Sequence, residues 1–245
     1  FTHDQYVQGK SDVVYLVEDP RVKTSIELKK ALDFVKDDNP RTKLEQADNA
    51  SYIPTKKLFY VVDKEAVIKN KVVDPKDYDK IVDTIQIDLG NKHYLTKDEL
   101  MILDMIATNN WKRPIYFAIT IGRDKYMNLQ DYFQHEGFAY RFVPIKTKSD
   151  GSGLAFGSVN TTRMYDNLMN NFKWGNMNDP KVYIDENNSR MMMNIRSTFD
   201  RLAEACVEEG QNDKAEKVLD KCAELIPDRL VPYSYFAMMM GETYL

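Results

Sequence analysis

The sequence predicts a mixed α/β (α+β) domain followed by an all-α helical array. Three observations carry that expectation. Residues 1–148 alternate short β-branched and aromatic runs with helical spacings. Residues 149–158 hold Gly151, Gly153 and Gly157 in a polar setting and read as a linker. From 159 to 245 every periodic signal is helical, and a pattern that opens at Phe199 restarts 34 residues later at Tyr233.

Taken in order, Val13–Val17 is a strand-like run. Thr24-x-x-Glu27 reads as a capping box, and Leu28, Ala31, Leu32 and Val35 then recur at helical spacing. Asp37–Ser51 is polar, contains Pro40 and is expected to be a loop. Leu58–Val62 is apolar and β-branched, the composition of a buried strand. Asp74-Pro75 pairs an N-cap with proline at the first helical position, predicting a short helix to about Val82. Ile85–Leu89, the turn Gly90-Asn91 and His93–Leu95 suggest a strand and its returning partner. A second capping box, Thr96-x-x-Glu99, opens a helix from Leu100 to Thr108 that is apolar on nearly every side and so is expected at the centre of a core. Pro114–Ile121 is the strongest strand signal, followed by a short helix at Leu129–Gln134 and a strand at Phe138–Ile145.

In the last third, Phe199-x2-Leu202-Ala203-x2-Cys206, Ala215-x3-Leu219 and Pro227 resemble a tetratricopeptide repeat, and Tyr233-x2-Phe236-Ala237-x2-Met240 starts another. The spacing has a physical cause. Two helices approach closely only where small residues cross, here Ala203 and Ala215, while larger apolar residues fill the flanks. Gly210 is expected to end the first helix, and Asn212 or Asp213 to start the second. Tyr165-x2-Leu168-Met169-x2-Phe172 copies only the first half of the pattern and reads as a capping helix. A long helix from about Asp185 to Glu209 should join it to the repeat. The apolar residues Met238, Met239, Met240, Tyr244 and Leu245 are not a polar cap, so the parent chain is expected to continue beyond them.

Composition narrows the function. The chain has 245 residues, of which 43% are hydrophobic and 11% aromatic, enough for a sizeable core. Its net charge is −4 with acids and bases interleaved, so no basic stripe points to nucleic acid. The apolar runs are too short to span or insert in a membrane. Residue 1 is phenylalanine, which suggests a piece of a longer protein. Cys206 and Cys222 both take inward positions in the repeat and behave there as small core residues; a disulfide between them is allowed but not required.

No catalytic set emerges. Gly151–Gly157 resembles a phosphate loop but comes after a charged segment and is one residue too long. His135-Glu136 begins like a zinc-protease motif, yet residue 139 is alanine, and His3, His93 and His135 lie far apart, so no metal and no cofactor is expected. Asp74, Asp77 and Asp79 lack the glycine and closing glutamate of a calcium loop. Neither cysteine has a histidine nearby, and no serine sits in a nucleophile elbow. One constellation suggests binding: Asn110, Trp111, Lys112 and Arg113, at a helix-to-strand junction, where an indole and two cations can face a sugar or an anion. The competing reading buries Trp111 and leaves Lys112 and Arg113 in solvent.

Three stretches carry a resemblance: Tyr52–Val73 (YIPTKKLFYVVDKEAVIKNKVV), Asn109–Thr120 (NNWKRPIYFAIT) and Leu129–Thr147 (LQDYFQHEGFAYRFVPIKT). Together they resemble the C-terminal extramembrane region of large polytopic membrane proteins common in Bacteroidetes. That family is similar to the eukaryotic protein O-mannosyltransferases that modify plexin-type domains and have a glycosyltransferase-C style membrane core. The resemblance implies a non-catalytic extracytoplasmic C-terminal domain on the periplasmic face of the inner membrane. Its implied partners are an acceptor protein or peptide and the membrane core of the same parent. The family's catalytic acid lies in that core, so none is carried over here. Against this stands an independent tetratricopeptide-type scaffold that binds peptides.

Overall fold

Alternating burial marks the opening strand, β1 (Val13–Leu16), which sinks Val14 and Leu16 and leaves Val13 and Tyr15 half-buried. The structure, a computed structural model, describes residues 13–47, 49–147, 156–233 and 235–244, the side chains of Gln46 and Phe236 excepted. The chain divides into two units, Phe1–Phe133 with Arg141–Gly157 and Gln134–Tyr140 with Ser158–Leu245. Residues 134–140, which the sequence reading keeps in the α/β region, thus belong to the helical one.

In the first unit β2 (Ile26–Glu27) leads straight into α1 (Leu28–Lys36), which buries Leu28, Ala31 and Leu32 as spaced. The Thr24–Glu27 capping box does not form, because Glu27 is spent on a strand and makes no side-chain cap. The predicted loop Asp37–Ser51 holds two 3-10 turns, Pro40–Thr42 and Glu45–Ala47, and β3 (Lys43–Leu44), antiparallel to β4 (Ala50–Ile53). β4 in turn runs parallel to β1. β5 (Lys57–Val61) takes β2 in parallel. Asp63 caps α2 (Lys64–Lys69), a helix the sequence reading missed, accepting from the Ala66 N–H at 2.9 Å. Asp74-Pro75 opens a 3-10 turn, Pro75–Lys80, rather than an α-helix.

β6 (Thr84–Asp88) lies antiparallel to β5, with Leu58 opposite Ile87 and Tyr60 opposite Ile85; these four residues are buried and their neighbours Lys57, Val61, Gln86 and Asp88 are exposed. β7 (Tyr94–Thr96) does not return along β6 as predicted. It pairs with β1, where Leu95 is buried opposite Val14. The sheets are therefore β3-β4-β1-β7 and β2-β5-β6. The second capping box does form at the head of α3 (Lys97–Asn109). That helix buries only Glu99, Leu103 and Ile106, with Met101 and Met105 exposed, so it lies on the core rather than within it. Of Pro114–Ile121 only β8 (Tyr116–Ala118) is extended, because Ile121 N–H turns back to Ala118 O at 3.1 Å. Leu129–Gln134 yields a 3-10 turn, Gln130–Tyr132.

Along β9 (Phe133–His135) and β10 (Ala139–Phe142) the chain passes into the second unit and back. The predicted linker is only partly visible, since residues 148–155 lie outside the described ones. Its visible end is packed: the Phe156 ring meets Tyr126 edge-on at 5.7 Å and lies under Arg123. Gly157 has φ +64°, and a Cβ there would come within 1.8 Å of the Phe133 carbonyl oxygen, so only glycine fits.

In the second unit β11 (Ser158–Val159) runs parallel to β9, Val159 opposite His135. Asn160 caps α4 (Thr161–Asp166), which continues as a π turn, Asn167–Asn171. The extra residue shifts the stripe, so Met164 and Leu168 are buried while Tyr165, Met169 and Phe172 are half-buried. α5 (Glu186–Glu208) starts at the Asp185 cap and ends in a Schellman turn: Gln211 N–H bonds Cys206 O, Gly210 N–H bonds Val207 O, and Gly210 has φ +71°. α6 (Asn212–Leu225) comes next, with Gln211 as its N-cap and no side-chain capping bond. The hairpin core contains Phe199, Leu202, Ala203, Ala215, Val218 and Leu219, with Cys206 and Cys222 buried as free thiols. α7 (Tyr235–Tyr244) is the last described element; Leu245 and the Phe236 side chain, on which the expected continuation of the array partly rests, lie outside the described residues.

Candidate functional site

The junction after α3 is a rigid corner. Asn110 and Trp111 both adopt left-handed backbone, φ +43° and +61°, which is costly for residues with side chains. Asn109 holds the turn, its carboxamide accepting from Arg113 N–H at 3.1 Å and donating to Arg113 O at 2.6 Å. Asn110 donates to the carboxylate of Asp63 at 3.1 Å, tying the corner to the cap of α2. The Trp111 ring does not face outward. It is buried, stacked on Phe142 at 5.5 Å and 14° and tilted against Tyr60, and its indole N–H has no hydrogen-bond partner. Lys112 and Arg113 are exposed. A small cleft brings Trp111 and Arg113 together with Val72, Asn109 and Phe142, and leaves Asn110 and Lys112 outside its walls.

A roomier opening than this cleft lies among the helices of the second unit. A cavity of about 190 Å³ is walled by Leu219, Cys222, Ala223 and Ile226 on one side and Ala237, Met240, Gly241 and Tyr244 on the other, with Arg196 and Tyr233 at its edge. Arg196 is 1% exposed, yet among the described residues no carboxylate pairs with it. Its guanidinium donates to the carbonyls of Ile226 at 2.8 Å, Val231, and Pro232 at 3.0 Å, and lies 5.0 Å over the Tyr233 ring. It thereby satisfies the Ile226 carbonyl where α6 ends and two carbonyls of the loop that follows. The sequence reading missed this residue, although an arginine in the apolar stripe Met192, Arg196, Phe199, Ala203 was a visible signal.

Among the other buried titratable groups of this unit are His135 and Asp200. His135 is 2% exposed beside the Tyr140 ring; burial, and then the charge of Arg201, push its pKa down to about 3 against a small opposing effect of the Gly137 backbone. Asp200 is 3% exposed, and burial, reinforced by the charge of Glu204, pushes its carboxyl up to about 7. Among the described residues no three metal-binding side chains gather, and no helix is long and apolar enough to cross a membrane.

Neither a curated protein nor a solved structure matches the chain. A family does: TMEM260-associated domain 2 matches residues 1–163, which include β1 to β11, the corner at 109–113 and all three stretches that carry the resemblance. With well over half its length matched, this chain belongs to the TMEM260-associated domain 2 family.

Proposed function

We propose that the chain is a non-catalytic, extracytoplasmic domain of a membrane glycosyltransferase-like protein of the protein O-mannosyltransferase type, which binds the acceptor protein or supports the membrane core. The observation that carries this reading is the family match over residues 1–163, TMEM260 being a protein O-mannosyltransferase-like family of eukaryotes. The absence of a credible acid, base and nucleophile set in the sequence supports a binding role over a catalytic one. In a bacterial parent, the domain would face the periplasm. Its contact surface is the corner after α3: Lys112 and Arg113 supply exposed cations for an anionic or sugar group, while Asn110 and the buried Trp111 fix their backbone.

Sugar transfer tests this directly. The isolated chain should transfer nothing, and the parent should lose acceptor affinity, but not melting temperature, when Lys112 and Arg113 become alanine. Turnover by the isolated chain removes the proposal.

A second reading is favoured by the α5–α6 hairpin and its apolar cavity: a tetratricopeptide-like scaffold whose helical groove takes a peptide. The gene upstream of Phe1 separates the two, since some ten apolar spans there support the transferase and none supports the scaffold.

A further inference from the structure

The last turn of α7 is fastened to its neighbours by two hydroxyl groups, both facing carboxyls. Tyr244 donates to Asp220 on α6 at the surface, and Thr243 meets Asp200 on α5 in the interior, 3.3 Å from Oγ1 to Oδ1. The same Thr243 hydroxyl lies 3.1 Å from the Met239 carbonyl oxygen. A hydroxyl has one proton, so Thr243 can offer a carboxylate only a bond shared with the Met239 carbonyl. If Asp200 is a carboxylic acid, its O–H can donate to Thr243 while Thr243 donates undivided to Met239.

The surroundings agree. Glu204 on α5 and Glu242 on α7 add negative charge, and from α6 the Cys222 thiol, itself pushed up to about 12 by burial, lies within reach of the Asp200 charge. Arg196, one turn away on α5, spends its guanidinium on backbone carbonyls. Beneath α7 lies the 190 Å³ cavity, and Tyr235, Met238 and Tyr244 on the helix are exposed, so the packing that would otherwise hold it is thin.

We propose that α7 is a proton-dependent latch, docked on α5 when Asp200 is a carboxylic acid and released when Asp200 ionises. Ionisation leaves a carboxylate where the described residues place no cation, and only a shared Thr243 proton to meet it; undocking lets water reach it. Release bares Leu219, Cys222 and Ile226, the apolar side of α6 that walls the cavity. The docked state favours the acid, and this sets the sign. Docking is strongest at low pH and weakens as pH rises from the free value of about 4 to about 7.

The chain carries its own reporter. Cys222 lines the cavity under α7, whereas Cys206, equally buried, lies in the hairpin core and serves as internal reference. Alkylation by iodoacetamide is followed at both thiols from pH 6 to pH 8. Divided by the free-thiolate fraction, the Cys222 rate should exceed that of Cys206 and rise about tenfold in the native chain, and stay flat in Asp200→Asn. Equal rates at the two thiols mean that only global opening occurs and overturn the latch, and so does an equal slope in the variant. Should the variant not fold, the native rates decide: a Cys222 rate that is level with pH, or no faster than that of Cys206, overturns the latch.

Discussion

Glu99 in the first unit and Asp200 in the second are carboxyls at the same depth, 2% and 3% exposed, with opposite fates. Burial favours the neutral acid at both. At Glu99 it is outweighed by the Lys92 ammonium at 2.7 Å, the Thr96 N–H at 3.0 Å and Lys125 at 3.6 Å, which hold the group below the ordinary glutamate value. At Asp200 a single hydroxyl faces the carboxyl and burial wins. Depth therefore sets the size of the penalty, and the partners decide whether the group answers it by pairing or by taking up a proton. The first arrangement is a fixed joint at the head of α3. The second responds to pH.

The largest way to break this contrast is to remove the joint. Glu99→Ala leaves Lys92 without its buried partner and should cost the first unit about 3 kcal/mol in denaturant unfolding; a loss under about 0.5 kcal/mol would put Glu99 among ordinary surface acids. The hairpin of the second unit relies on close packing rather than ion pairs. Ala203→Leu or Ala215→Leu should therefore destabilise it by about 1–3 kcal/mol, and variants that melt like the parent would refute the close crossing. Giving Asp200 a cation converts the second arrangement into the first: in Thr243→Lys the rise with pH of Cys222 alkylation, divided by the free-thiolate fraction, should vanish.

His135 sharpens the comparison further, because its sign is reversed. Its folded pKa, about 3, lies below the free value of 6.5, so its contribution is present above pH 6.5 and is lost as pH falls towards 3. That of Asp200 is present below its free value of 3.8 and is lost as pH rises to about 7. Between about pH 4 and 6.5 the two slopes oppose each other, and the melting temperature of the second unit should be nearly level. His135→Phe should unmask a melting temperature that climbs as pH falls through this range; a level profile in that variant would deny Asp200 its role. The smallest effect is expected at Glu216, exposed on α6, whose change to alanine should stay within about 0.5 kcal/mol of the parent.

What the sequence disclosed was local. The Thr96–Glu99 box, the start of the long helix near Asp185 and the glycine stop at Gly210 each depend on residues a few positions apart, and each is present. Pairing over distance was not legible. Gly90-Asn91 looked like a hairpin turn, but β7 lies along β1, some eighty residues earlier, because Leu95 is buried there opposite Val14. Pro114–Ile121 has strand composition, yet three residues suffice before the backbone turns. At the corner after α3 the residue types left open an exposed indole or a buried one with Lys112 and Arg113 in solvent; the structure has the second, with left-handed backbone at Asn110 and Trp111, which no composition announces, and the ring turned inward onto Phe142.

The chain's path through its two units has a practical consequence. Because it leaves the first unit at Gln134 and returns at Arg141, no single cut yields both units whole. A fragment starting at residue 159 would lack β9, the strand against which β11 lies, and Phe138, whose ring stacks on Phe172 at 4.8 Å. A fragment ending at 148 would carry that hairpin tip away with the wrong half and omit Gly157, the residue that admits the Phe133 carbonyl. Dissection of this protein calls for a circular rearrangement or a grafted hairpin, and helical fragments trimmed at the glycine-rich segment should express poorly for want of seven residues encoded upstream.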